Sequence, residues 1–222
     1  LLTSTIAGTV LLVAESVALG EPPGPAASGA EVASWFVSQG EHARAYTWVM
    51  ALFVPVFATF AALVRDRLPS PHRDVFFVGA IAMLAETAVS TWIWAGLSWH
   101  ADQLEPATAR TLLDVASFWG PVLNGATISM LAPVVVLSWG AHAVLPRWLG
   151  IVGGIALAEQ TMETVTIFGH SGFTAPGGPM NLLLGAGLVS IWWLCLGIRL
   201  ARSPAARPRV STAVMEPQAT TT

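Results

Sequence analysis

The 222-residue chain is 54% hydrophobic and 10% charged, with ten tryptophans, one cysteine and a formal net charge of −3. A soluble domain carries about a quarter of its residues as charged side chains, so this composition excludes an ordinary soluble surface. The apolar residues fall in runs of roughly 20, enough to cross a bilayer as helix, and too long and uniform for barrel strands. The chain reads as an all-α, polytopic transmembrane helix bundle.

Six spans follow in chain order. The first covers about 3–20 and is closed by Glu21-Pro22-Pro23-Gly24. It lacks a basic leader region and holds Glu15, so it reads as a retained helix and not a signal peptide. Ser28-Gly29-Ala30-Glu31 has the spacing of a capping box, in which serine and glutamate each satisfy a free backbone N–H. It predicts a short amphipathic helix over about 29–44, lying on the membrane surface. The second span covers about 46–65 and stops at a charged turn, 65–74. The third covers about 75–99. Pro106 suits a first helical turn, so a helix over 106–118 leads into the fourth span, about 118–143, which Gly120-Pro121 and Pro133 should bend. The fifth covers about 148–169. A glycine- and proline-rich loop joins it to the sixth, about 180–201. The six-helix domain is thus 1–202, and 203–222 reads as a disordered cytoplasmic tail.

Arginine sets the orientation. All ten basic residues are arginine, and Arg65, Arg67, Arg73, Arg147, Arg199, Arg202, Arg207 and Arg209 lie on one set of loops. Only Arg44 and Arg110 lie on the other. The positive-inside rule places the first set, and both termini, in the cytoplasm. Trp35, Trp48, Trp99 and Trp119 then stand at the outer interface, Trp139 and Trp148 at the inner one. Cys195 is alone within an apolar run, so no intrachain disulfide forms and it reads as a small core residue.

Spans one, three and five run in the same direction and share a pattern. Gly8–Glu15 reads GTVLLVAE, Gly79–Glu86 reads GAIAMLAE, and Gly153–Glu159 reads GGIALAE. The spacing of the glutamates, about a third of the chain, suggests three repeated helical hairpins. A helix turns about 100° per residue. On that wheel Glu159, Glu163, Thr166 and His170 share one stripe. Glu86 shares a face with Gly79, Ala82 and Ser90, and Glu15 shares one with Ser4 and Gly8.

A carboxylate at mid-membrane costs on the order of 3 kcal/mol even on the lenient insertion scale. It should face the bundle interior, where small neighbours admit close helix approach. The expectation is an acidic polar core in the outer half: Glu15, Glu86, Glu159 and Glu163, with Thr166, Ser90 and Asn124. Such a core suits binding or transport of a cation, a proton or a small polar or amphiphilic solute. An alternative is a non-catalytic accessory or structural subunit, the acids serving as packing. A second is a membrane-embedded metal enzyme, in which His42, His100 and His170, near the outer surface, join Glu163 around a divalent metal such as zinc, copper or iron. His72 and His142 lie on the cytoplasmic side, away from that set. The lipid bilayer is the expected partner, with a further membrane protein or a second copy under the subunit reading. No HExxH, CxxC, Walker or GxSxG motif is present, so no catalytic residue is assigned, and nothing points to nucleic acid.

The turn LPRWLG, Leu145–Gly150, places proline at a helix start, Arg147 on the inner side and Trp148 at the interface. It resembles a turn of an uncharacterised family of bacterial, actinobacterial-type multi-pass integral membrane proteins. The resemblance implies a helical bundle in the bacterial plasma membrane and carries no established activity.

Overall fold

A computed structural model describes residues 1–140 and 143–203. His142 and nearly all of the expected tail, 203–222, lie outside the described residues. Among the described residues there are seven α-helices: α1 Leu2–Leu19, α2 Gly29–Arg65, α3 His72–Trp99, α4 Pro106–Ser117, α5 Trp119–Leu137, α6 Arg147–Glu163 and α7 Ala186–Ala201.

The local signals explain most of the helix ends. Ser28 Oγ accepts from Glu31 N at 3.3 Å, and Glu31 Oε2 accepts from Ser28 N at 2.6 Å, closing the capping box. Pro146 is the N-cap of α6, inside the LPRWLG turn. Pro106 opens α4 as expected. The fourth span ends at Leu137, not near 143, because Gly140 follows with φ of 87°, a left-handed conformation that glycine adopts without strain.

Three further features differ from the sequence expectation. The helix expected over 29–44 is divided from the second span earlier than expected, by a kink at Gln39 (φ −122°, ψ 17°) inside the 37-residue α2 and not near 44–46. No proline stands between 29 and 54, so the backbone ladder resumes after that one residue. At about 55 Å, α2 outruns a hydrocarbon core of about 30 Å. The sixth expected span begins with one turn of π-helix, Met180–Gly185, before α7. The fifth, over 148–169, is a 17-residue α-helix that tightens into a 3₁₀ turn, Thr164–Phe168.

Among the described residues, five helical stretches are long and apolar enough to cross a membrane: Leu2–Leu19, Gly29–Arg65, His72–Trp99, Pro106–Leu137 and Met180–Ala201. The stretch around α6 falls outside this set, being shorter and carrying Glu159, Gln160 and Glu163.

The helices close into a ring. α1 packs on α2, α2 on α3, α3 on α5, α5 on α6, α6 on α7, and α7 on α1, while α4 packs on α2 and α3. The arginine-rich turns lie at one end of the ring, where Arg67 donates to the Leu200 carbonyl at 2.8 Å and Arg65 donates to Asp74 at 2.8 Å. At the other end α1, α3 and α6 finish and α5 and α7 begin.

On α1 the packing is inverted relative to a soluble protein. α1 buries Ser4, Thr5 and Gly8 and exposes Ile6, Val10, Val13 and Val17. Small residues inside and large aliphatic ones outside suit helices whose surrounding solvent is lipid. Between helices, Phe57 and Phe60 of α2 stack on Trp193 of α7 with ring centroids 4.8 and 3.8 Å away. At the α3–α5 crossing Gly79 leaves no room for a side chain: a Cβ there would lie 2.8 Å from the Ala126 carbonyl oxygen.

That crossing yields a direct test. Gly79→Ala should destabilise the protein by about 1–3 kcal/mol through overpacking. Gly96→Ala, where a Cβ meets nothing within 4 Å, should be neutral or stabilising by up to about 1 kcal/mol. Unfolding midpoints in detergent compare the two, and equal midpoints would contradict the close approach.

Candidate functional site

A cavity of about 140 Å³ lies inside the ring, and all six ring helices contribute to it. α1 supplies Leu12 and Glu15, α2 supplies Tyr46, Met50 and Phe53, and α3 supplies Met83, Thr87 and Ser90. α5 adds Trp119, Leu123, Asn124 and Thr127, and α6 adds Gln160 and Glu163. The π-turn and α7 complete the lining with Asn181, Gly185, Ala186, Val189 and Ser190. These positions cluster toward the end of the ring opposite the arginine-rich turns.

Why these side chains meet follows from helical spacing. On α6 the buried residues Leu149, Gly153, Ala156, Gln160 and Glu163 recur every three or four positions, which is one face of a helix. On α1 the same spacing carries the buried Gly8 to Leu12 and Glu15. On α3 the inner face runs through Ala80, Met83, Thr87 and Ser90. The π-turn widens the backbone where the last span enters, and it sets Asn181 and Gly185 against α5 and α6. Such turns recur at functional sites.

Gln160 is the hub of a buried hydrogen-bond network. Its Nε2 donates to Glu163 Oε2 at 2.6 Å and to Glu159 Oε2 at 3.0 Å. Its Oε1 accepts from the Thr127 hydroxyl. Asn124, with its amide nitrogen turned toward acceptors, donates to the Gly120 carbonyl at 3.0 Å and to Gln160 Oε1 at 3.2 Å, while its oxygen accepts from Thr164 N at 3.3 Å. Asn181 donates to Glu163 Oε1 and, at 3.4 Å, to Thr166 Oγ1, and its oxygen accepts from Gly177 N at 2.9 Å. Both oxygens of Glu163 are therefore held by amides from α6 and the π-turn. The carboxyl presses against bare backbone: a Cβ on Gly185 would come within 2.2 Å of Glu163 Oε2.

The four glutamates singled out from the sequence do not converge. Glu15 and Glu163 line the cavity. Glu159 is buried beside Glu163 but outside the lining, and its Oε1 has no partner. Glu86 points elsewhere, into a separate groove with Val89, Val115, Phe118 and Val122 between α3 and the α4–α5 corner, and its Oε2 has no partner. The inner face of α3 passes through Met83 and Thr87, and Glu86, one residue from Thr87, is turned about 100° away. Ser90 touches both the cavity and the groove, and Asn124 lines the cavity. Thr166 is buried within the network but not in the lining.

His170 leaves the stripe it was expected to share, because the helix ends at Phe168 and Gly169 is extended. His42, His100 and His170 are all exposed and stay apart. His42 Nδ1 lies 2.9 Å from the Ala18 carbonyl, and His100 meets Trp99 edge-on at 5.8 Å. Among the described residues no three His, Cys, Asp or Glu side chains are grouped so as to hold a metal ion.

Gln160, Asn181, Thr127, Tyr46 and Trp119 were missed in the sequence. Gln160 was legible in principle: it continues the Gly153–Ala156 face, whereas a stripe drawn from Glu159 passes it by. Asn181 was hidden because the π-turn shifts the register of its span. No protein-family model, no curated protein and no solved structure matches the chain.

The network predicts that Gln160 is structurally costly to replace. Gln160→Leu leaves two buried carboxyls short of a donor and should cost at least about 2 kcal/mol. Thr161→Val, on the exposed face of the same helix, should stay within about 0.5 kcal/mol. The measurement is thermal or denaturant unfolding in detergent, and a Gln160→Leu variant as stable as the parent would contradict the network.

Proposed function

We propose that this chain is an integral membrane protein of six spans that binds and carries a small cation in its central cavity. The observation that supports this reading most is the cavity itself: every ring helix lines it, Glu15 and Glu163 face it, and among the described residues no Arg or His does. None of the ion pairs among the described residues involves Glu15 or Glu163. Negative charge without an internal counterion attracts a cation, and a site shared among helices is where carriers place their solute.

The finer architecture belongs to the same proposal. The helical run Arg147–Phe168 is about 35 Å long, which supports a sixth span despite its polar residues. Consecutive helices pair as α1–α2, α3–α5 and α6–α7 around the ring in chain order, as three repeated hairpins would. The arginine-rich end lies in the cytoplasm with both termini, so the cavity sits in the outer half of a bacterial plasma membrane. The kinship of Leu145–Gly150 with actinobacterial-type membrane proteins is part of this reading too.

A second reading, as an accessory subunit, draws on the Glu86 groove. An unpartnered carboxyl oxygen on the outside of the ring suits a hydrogen-bond donor on a neighbouring membrane helix.

The cation reading is tested on purified protein in mild detergent, titrated with sodium, potassium, calcium, zinc, butylammonium and benzylammonium chlorides. At least one should raise the melting temperature saturably, and Glu163→Gln should weaken that response tenfold or more. The reading fails if no cation gives a saturable rise, or if Glu163→Gln responds as the parent does.

A further inference from the structure

We infer that the cation bound in the central cavity is an organic ammonium ion, a protonated amine with a small apolar body, and not a bare metal ion; this rests on the cation reading above.

The lining has the two chemistries such a molecule requires. Around the space stand Leu12, Met50, Phe53, Met83, Leu123 and Val189, side chains that offer a cation no oxygen. Calcium takes about 6–8 oxygen ligands, and magnesium demands a near-ideal octahedron. Oxygen comes from Glu15, Tyr46, Thr87, Ser90 and Ser190, spread over α1, α2, α3 and α7, and from the committed α5–α6 network. Among the described residues no three His, Cys, Asp or Glu side chains group to replace the hydration shell of either ion. The cavity does receive a hydrocarbon body, whose burial is favourable by about 25 cal/mol per Å².

The charged end is met on the α5–α6 side. Glu163 accepts one amide hydrogen bond on each oxygen, and an ionised carboxylate has about four acceptor sites. It keeps capacity for the N–H groups of an ammonium. The Gln160, Asn124 and Asn181 amides are committed to the network, so they hold the carboxyl in place more than they compete for the ligand. Tyr46, Phe53 and Trp119 add aromatic rings to the lining, and ring faces attract organic cations.

Size gives the third constraint. The cavity of about 140 Å³ is close to the roughly 150 Å³ that accommodates benzene in an engineered protein core. That admits a body of four to seven carbon atoms, roughly, and excludes large amphiphiles. Neutral and anionic solutes of the same size bring no positive charge to the two carboxylates.

The test separates charge from shape. The protein in mild detergent is titrated calorimetrically with butylammonium, benzylammonium, the uncharged isosteres 1-butanol and benzyl alcohol, and potassium. Either ammonium should bind saturably, its isostere at least tenfold more weakly, and potassium not at all. Glu163→Gln should lose tenfold or more in ammonium affinity while its isostere affinity is unchanged. Should that variant fail to fold, Glu15→Gln, at a half-buried position outside the amide network, should show the same selective loss. Saturable binding of an inorganic cation without either ammonium would overturn the inference and leave the cation reading standing. Equal binding of ammonium and isostere would overturn it by showing an apolar pocket indifferent to charge. Binding by none of the probes would overturn the inference, and the cation reading falls with it only if sodium, calcium and zinc also fail to raise the melting temperature.

Discussion

The Glu163 carboxyl packed against the bare backbone of Gly185 sets the terms for the surrounding structure. A carboxyl so deeply enclosed needs donors at once, because an unsatisfied buried polar group costs a few kcal/mol. Gln160 supplies one from the same helix, and Asn181 supplies the other from the π-turn. Each of those amides then needs its own partners, and these are Thr127, Asn124, Thr166 and the Gly177 backbone. The chain of obligations ties α5, α6 and the start of the last span into one polar unit. The π-turn at 180–185 brings both Asn181 and Gly185 to that unit, against Gly120 and Glu163.

The rest of the ring is held by different means. Where lipid surrounds the helices, apolar burial no longer favours inside over outside, so contact depends on shape. The glycines at the α3–α5 and α1–α7 crossings, and the stack of Phe57, Phe60 and Trp193, provide it. The cavity remains where the polar unit and these apolar contacts do not meet. The α5–α6 wall is thus a continuous amide and carboxyl network, while the α1–α3 wall sets Leu12, Met50, Phe53 and Met83 around Glu15, Tyr46, Thr87 and Ser90. The proposed ligand chemistry rests on that mixture of apolar surface and carboxylates.

Particular residues show how much was legible beforehand. The capping box at Ser28–Glu31, the start of α4 at Pro106 and the start of α6 after Pro146 were readable because each depends on a few adjacent residues. Glu163 was singled out correctly as facing inward, since it stands on a helix whose small residues mark one face. Glu86 and His170 were placed wrongly for separate reasons. Glu86 was grouped by its kinship in sequence to Glu15, although the inner face of α3 runs one residue away. His170 was projected along a helix that stops at Phe168. The division of α2 was expected near 44–46 and falls at Gln39, where no proline marks it in the sequence.

Composition and local order were enough to establish an all-helical chain with several stretches suited to a membrane. Hydropathy is a property of short segments and survives without knowledge of their neighbours. Which way each carboxylate turns was decided only by the tertiary structure. In a soluble helix the polar face declares itself to water, but a helix apolar on nearly every side carries no such label. At about 100° per residue, Met83 and Thr87 face the cavity while Glu86, between them in sequence, faces a groove. Only the packing of the neighbouring helices selects that angle, and with it which of the four glutamates share a site.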